Sequence, residues 1–370
     1  PLIIVFITLL VYCRSYSVPF VLDDRRNIVQ NQSIFKITNI KSIWNFRPTR
    51  FIPQFTFALN YKVSGLNSAS FHLTNVIIHI LTSLSAWWLV NLLLKRKSYI
   101  SFIVALVFAI HPIQTEVVLY TYQRVASLAA LFYLLTIIFY LMSEHVKSSI
   151  KQLDKFESVF FYVLSLFTML LAYFSKENAY SLPLVLLLTK MYFVEPTFTL
   201  KHIFNKKIIL YFSITMFIVL WIFVTPGMLS PLYGFAKGFV PRGKTDISHV
   251  DYVFTQVNVV RTYIRLLLFP INQNFDYEYP LVRSLQNIPT VLSLIIHVVL
   301  LIISFILRKR NRLISFGILF FYTTLIIESL IPLDDVIKEY VLYLPSIGFL
   351  IACSATGFWL SEKGGSHILI

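Results

Sequence analysis

The chain of 370 residues alternates long apolar runs with short polar interruptions. Apolar stretches fall at about 1–14, 68–92, 98–115, 122–143, 158–174, 179–194, 207–225, 288–307, 313–330 and 341–360. Runs of roughly 18 or more such residues, at a helical rise, are long enough to cross a hydrocarbon core of about 30 Å. Ten segments predict ten crossings, and with them an all-α polytopic membrane protein organised as one membrane domain over 1–370. No internal repeat, heptad array or low-complexity segment interrupts the pattern. The opening run PLIIVFITLLVYC has neither an initiator Met nor a basic leading region. It reads as a transmembrane helix missing its start rather than as a signal peptide.

Lysine and arginine give these helices a common orientation. Lys95-Arg96-Lys97, then Lys147, Lys151 and Lys155, then Lys190, Lys201, Lys206 and Lys207, then Arg308-Lys309-Arg310 with Arg312 occupy alternate loops, the signature of the cytoplasmic side. The long first outer loop, about 15–67, is itself basic, but long loops weigh little in this rule. Most acidic residues then fall outside: Asp23, Asp24, Glu116, Glu177, Asp246, Asp251, Asp276, Glu278, Glu328, Asp334, Asp335 and Glu339. Tyr252 to Pro270 is apolar enough to tempt an eleventh crossing, yet it holds Arg261 and Arg265. Arginines at mid-membrane are costly, so 252–270 is expected to be an amphipathic outer segment, lying on the outer face or packed in a cavity.

Composition supports lipid as the solvent: 57% of residues are apolar and 13% charged, against about 25% charged in an average soluble domain. The net charge of +15 does not point to nucleic acid, because the basic residues sit in short loops and form no patch on a polar domain. Cys13 and Cys353 both lie in apolar stretches, which excludes a disulfide framework or a cysteine-based metal site. A Gly-rich phosphate loop, a Ser-His-Asp ordering and His/Cys metal spacings are all missing from the sequence, so nucleotide-binding and hydrolase readings lack support.

Polar constellations remain at the outer turns. Asp23-Asp24 heads DDRRNIVQN directly after the first apolar run. Paired carboxylates there suit proton abstraction from a hydroxyl or the holding of a divalent cation, while an Asp at a helix start also suits a plain N-cap. His111, Glu116, Gln123 and Arg124 surround one outer helix–helix turn broken at Pro112. Arg124, entering an apolar run, suits a phosphate grip or a structural ion pair with Glu116. Ser175 to Asn178 is a tight polar turn where Lys176 suits phosphate and Glu177 suits either pairing with that lysine or work on an acceptor. Finally NQNFDYEYP, with Asp276 and Tyr277, and PLDDVIKEYVLYLP, with Asp335, combine rings and carboxylates. That chemistry holds sugars, although tyrosines also gather at membrane interfaces for physical reasons.

Read together, VLDDRRNIVQN, RFIPQFTFALNYKVSGLNSASFHLTNVIIHIL, AIHPIQTEVVLYTYQRVASLAALFYLL, YFSKENAYSLPLVLLL, FDYEYPLVRS and IPLDDVIKEYVLYLPSIGF resemble the membrane region of the TMTC proteins and their bacterial relatives. The resemblance implies a GT-C fold, a bundle of roughly a dozen helices whose first outer loop carries an acidic catalytic motif. It also implies transfer of a sugar, mannose in the animal members, from a polyprenyl phosphate to Ser or Thr of an exported protein. The site would then face the periplasm of a bacterial inner membrane or the lumen of the endoplasmic reticulum. Two departures stand out. The tetratricopeptide repeats that usually follow in the family are not in this sequence, and the more familiar arginine-proline at the loop-to-helix junction is Arg50-Phe51.

On that resemblance Asp24 is the expected general base with Asp23 in support. Arg124, Lys176 and His111 are expected to hold the lipid phosphate, and Glu116, Gln123, Glu177, Asp276, Tyr277 and Asp335 to meet sugar or acceptor. No cofactor or metal is indicated, a divalent cation at the paired aspartates aside. The expected partners are the polyprenyl-phosphate-linked sugar, the exported acceptor and the bilayer. A secondary transporter would instead place charges near the midplane in two pseudo-symmetric halves. A noncatalytic membrane scaffold is the other alternative.

Overall fold

A computed structural model describes residues 1–95, 98–147, 153–195, 204–224, 239–240, 247–284, 287–331 and 335–363. Arg96, Lys97, Lys151, Lys201, Asp246 and Asp334, used above for topology, lie outside the described residues.

Helix starts follow from local chemistry. Asn67, Ser98, Ser248, Asn287 and Asn311 each place a side-chain oxygen on a free backbone N–H of the first turn, opening Ser68–Leu94, Tyr99–Ile110, His249–Leu268, Ile288–Leu307 and Arg312–Leu330. Such caps satisfy donors that the helix itself cannot. Inside the helices, Thr82, Ser83, Ser85, Thr136, Thr189 and Thr324 return their hydroxyls to the carbonyl four residues earlier. A polar side chain is thereby satisfied without leaving an apolar helix.

All ten apolar segments of the sequence fall on helices. Five of the described helices are long and apolar enough to cross a membrane: Ser68–Leu94, Thr121–Glu144, Lys155–Tyr173, Ile288–Leu307 and Arg312–Leu330. Tyr99–Ile110 and Pro112–Leu119 make a sixth if taken as one span bent by 52°. Pro112 causes that bend, lacking an N–H to continue the ladder, and His111 Nδ1 accepts from Ile113 N at 3.1 Å to cap the new turn. His249–Leu268 is a single helix and is not among the five. Its Arg261 and Arg265 donate to the carbonyls of Pro289 and Ile271. One short antiparallel pair, Phe239–Val240 with Ile247–Ser248, is the strand content of the described residues.

Arg124–Lys147 packs along Leu153–Tyr173 on one side and Ser68–Leu94 on another, and Arg312–Leu330 packs along Pro345–Lys363. The last two helices approach closely because Gly317 and Gly348 face each other. A Cβ on Gly317 would stand 2.6 Å from the Gly348 carbonyl oxygen. Small residues at a crossing permit this contact between apolar helices. Leucines and isoleucines of Ile288–Leu307 lie largely exposed, as expected of a face turned to lipid.

Sequential helices pair as antiparallel hairpins, so alternate loops meet at each end of the bundle. One end gathers the first loop, the turns at 111–123 and 174–181, and the segments 269–284 and 335–344. The other gathers Lys190, Lys207 and Glu144.

Candidate functional site

Asp24 stands first in the Arg25–Val29 turn but does not cap it. Its Oδ2 accepts from Val21 N at 3.0 Å and its Oδ1 from Tyr122 N at 2.7 Å, and the residue is fully buried. The carboxylate therefore ties the first loop to the turn preceding Arg124. Burial pushes its carboxyl up to about 6, against the two backbone N–H groups. Asp23 has the opposite environment. Its side chain is exposed, and its backbone N donates to the Tyr120 hydroxyl at 3.0 Å.

Two guanidinium groups converge beside this pair. Arg47 and Arg50 both donate to the phenol oxygen of Tyr122, Arg50 at 2.9 Å. Tyr122 is the residue whose backbone N–H holds Asp24, so cations and carboxylates share one mount. Arg50 pairs with Glu177 at 3.3 Å; burial alone would raise the Glu177 carboxyl, but Arg50 holds it below its ordinary range. Arg47 has no carboxylate partner among the described residues.

Arg124 is placed differently. It is fully buried, with Nε on Asn75 Oδ1 at 2.7 Å, Nη1 on Asn60 Oδ1 at 2.6 Å and Nη2 on the Phe71 carbonyl at 2.9 Å. The rings of Phe57 and Phe71 cover it at 4.6 and 5.6 Å. This arginine fastens the Phe51–Ser64 and Ser68–Leu94 helices to its own. The ion pair with Glu116 weighed from the sequence does not form, because Glu116 instead accepts from Tyr340 N at 2.9 Å. His111 likewise is occupied on both nitrogens, by Ile113 N and by the Leu267 carbonyl.

Lys176 does not pair with its neighbour Glu177. Its Nζ lies 2.5 Å from Glu328 Oε1 and 4.7 Å from the centre of the Tyr340 ring, with both charged side chains 7% exposed. Gln123 is buried nearby in the turn before Arg124. Glu339 accepts from Asn274 N, the Tyr277 hydroxyl and Gln273 Nε2, which joins the 272–280 loop to the 335–344 segment. The Glu339 carboxylate and burial together raise the Tyr277 phenol, burial contributing more. Lys338 bridges Asp276 at 3.3 Å and Asp335 at 3.1 Å and lies over Phe275, whose ring meets Tyr120 edge-on at 5.3 Å. Through Tyr120 this outer group reaches Asp23.

Glu116, Lys176, Glu177, Glu328 and Tyr340 thus form one polar layer that touches the aspartate and arginine group through Arg50. Among the described residues no group of three or more His, Cys, Asp or Glu is arranged to hold a metal ion.

Comparison with curated proteins finds relatives that match part of the chain. Protein O-mannosyl-transferase TMTC4 of Mus musculus is 28% identical over 206 residues, 48% of this chain and 27% of the relative. Protein O-mannosyl-transferase TMTC3 of Homo sapiens is 32% identical over 155 residues, covering 38% of this chain and 16% of its own length. For TMTC1 of Homo sapiens the identity is 34% over 123 residues, 33% of this chain and 14% of the relative. The chain is TMTC-like. It spans roughly a quarter or less of the length of these relatives. No family model matches it, and no solved structure matches it.

Arg47, Arg50, Glu328, Glu339 and Tyr340 were given no site role from the sequence of this TMTC-like chain. For Arg50 a signal existed in its place at the loop-to-helix junction, one residue before Phe51–Ser64. Glu328 had one too, as the carboxylate nearest the end of an apolar run.

Proposed function

We propose that this chain is a membrane glycosyltransferase of the GT-C type that moves a sugar from a polyprenyl phosphate to a hydroxyl of an exported protein, on the outer or luminal face. The similarity to proteins named as O-mannosyl-transferases supports the reaction class and suggests mannose. The roughly ten-helix topology of the GT-C reading draws support from the ten helical apolar segments.

The observation that carries the reading is the shared mount of cations and carboxylate: Arg47 and Arg50 on the hydroxyl of Tyr122, and Asp24, the neighbour of Asp23, on its backbone N–H. In this scheme the exposed Asp23 takes the proton from the acceptor hydroxyl as its oxygen bonds to the anomeric carbon. The bond from that carbon to the phosphate oxygen breaks, and Arg47 with Arg50 meets the charge left on the lipid phosphate. Asp24, fully engaged with backbone donors, positions its neighbour. Arg124 and His111, whose bonds are already taken by the protein, hold the scaffold in place of the phosphate. The reaction needs no nucleotide, in keeping with the sequence.

The test incubates the purified chain in lipid nanodiscs with radiolabelled polyprenyl-phosphate sugars and Ser/Thr peptides. Label in the peptide is the expected result. No transfer from any donor, together with no binding of polyprenyl phosphate, would favour a transporter or scaffold.

A further inference from the structure

The polar layer beneath the two arginines holds buried hydrogen-bonding atoms without partners among the described residues, the Lys176 ammonium and several acceptors. Glu116 Oε1, Gln123 Oε1, Asn178 Oδ1 and Glu328 Oε2 are buried and have no hydrogen-bond partner among the described residues. All four are acceptors. Gln123, Asn178 and Glu328 are each more than nine-tenths buried, at 5%, 4% and 7% exposed. Buried polar atoms in native proteins are almost always partnered, so unfilled ones mark a place for water or a ligand.

Glu116 and Glu328 meet at one hub. The Tyr340 backbone N–H holds Glu116 Oε2, its ring lies under Lys176 Nζ, and that ammonium meets Glu328 Oε1. A small cleft lies beside Glu328, lined also by Tyr252, Gln256 and Tyr263. Two carboxylates with spare lone pairs reject a second phosphate or carboxylate, while they accept hydroxyls well. One ammonium supplies donors, and tyrosine rings supply flat apolar faces. That combination fits a neutral, hydroxyl-rich ring.

We propose that Glu116, Glu328, Lys176 and Tyr340 form the subsite that binds the hexose ring of the donor, separate from the phosphate site at Arg47 and Arg50. This rests on the glycosyl-transfer reading above and divides the donor between two sets of residues: cations for its phosphate, acceptors for its sugar.

Binding separates the two. In nanodiscs, the full chain is titrated with undecaprenyl phosphate and with its mannosyl, glucosyl and N-acetylglucosaminyl esters. At least one ester is expected to bind roughly tenfold to a hundredfold more tightly than the bare lipid, as expected for hydrogen bonds to buried carboxylates. Glu116→Gln keeps an acceptor for Tyr340 N but weakens the grip on hydroxyls. It should remove most of that preference while leaving affinity for bare undecaprenyl phosphate unchanged. Glu328→Gln should do the same, and Glu116→Gln decides the matter if loss of the Lys176 pair unfolds that variant. Equal affinity of the wild type for bare and glycosylated lipids overturns the hexose subsite but leaves the phosphate reading standing. An equal loss for bare and glycosylated lipids in Glu116→Gln overturns it too. Binding of neither lipid by the wild type overturns both readings.

Discussion

The two ends of the bundle use the same residue types and leave them in different states. At one end Lys190, 1% exposed, meets Glu195 at 2.7 Å. Nearby, Lys207 meets Glu144 at 2.6 Å and lies over Tyr162, and the Tyr192 hydroxyl bonds to Ser315. Buried charge there is closed pair by pair among the described residues, with Tyr140 Oη the buried exception. Among the described residues, the end that holds Asp23 and Asp24 keeps acceptors unfilled at Glu116, Gln123, Asn178 and Glu328, and keeps Arg47 without a carboxylate. A protein bears the cost of unfilled buried polar atoms where something else completes them. Charge alone therefore does not mark the site, since both ends are charged; incomplete pairing does.

Asp23→Asn gives the largest expected effect. The amide keeps the shape of the carboxylate but takes no proton, so transfer should fall by about 10² to 10⁴-fold. The melting curve and polyprenyl-phosphate binding should hardly move, because the Asp23 side chain is exposed. A variant with full activity would remove Asp23 from the reaction and return the role to Asp24.

Next comes Arg47→Ala. This guanidinium has no carboxylate partner among the described residues, so its loss should weaken binding of bare undecaprenyl phosphate by roughly tenfold to a hundredfold, the scale of one charge-assisted hydrogen bond of about 1.5 to 3 kcal/mol. Arg50→Ala should show a smaller loss, since Arg50 divides itself between Tyr122 and Glu177. Unchanged lipid affinity in both variants, measured by titration in nanodiscs, would move the phosphate elsewhere.

How far the sequence reached follows the same division. Apolar runs were legible because their length and composition are local properties, and all ten proved helical. The turns that carry the candidate residues gather at one end of the bundle, since topology brings alternate loops together. Their pairings were not legible. Lys176 and Glu177 are adjacent in sequence yet pair with Glu328 and Arg50, each more than 120 residues away, and no periodicity encodes such a choice. Arg124 misled for a physical reason: an arginine within an apolar run is read as functional, whereas here Asn60, Asn75, Thr56 and the Phe71 carbonyl absorb its fork. Asp24 invited a helix cap and instead found a backbone donor 98 residues away.

The pH dependence of stability sharpens the contrast between the aspartates. The folded Asp24 carboxyl lies at about 6, above an unfolded value of about 3.9. Between these values the folded state holds the extra proton. Its stabilising share is therefore full below about pH 4 and is lost as pH rises toward 6, by roughly 2 to 3 kcal/mol. Melting curves of the wild type and Asp24→Asn at pH 4, 5, 6 and 7 check this. The variant should lose that part of the slope, and parallel slopes would show that Asp24 does not titrate in this window.

The smallest effect should come from the closed end. Lys207→Gln removes the cation facing Glu144, whose side chain is 8% exposed, while Lys207 itself is 24% exposed. Ser143 Oγ, also a partner of Lys207, stays beside the site and the new amide can donate to the carboxylate, so only part of the pair's energy is lost. About 1 kcal/mol of stability is expected to go, read as a melting temperature lower by a few degrees. Lipid titration and transfer should be unchanged, because a pair complete within the protein has nothing to offer a ligand. If Lys207→Gln instead lowered affinity for undecaprenyl phosphate as much as Arg47→Ala does, the difference between the closed and open ends would not separate structure from function, and the phosphate would have to be sought among the basic residues of the opposite face.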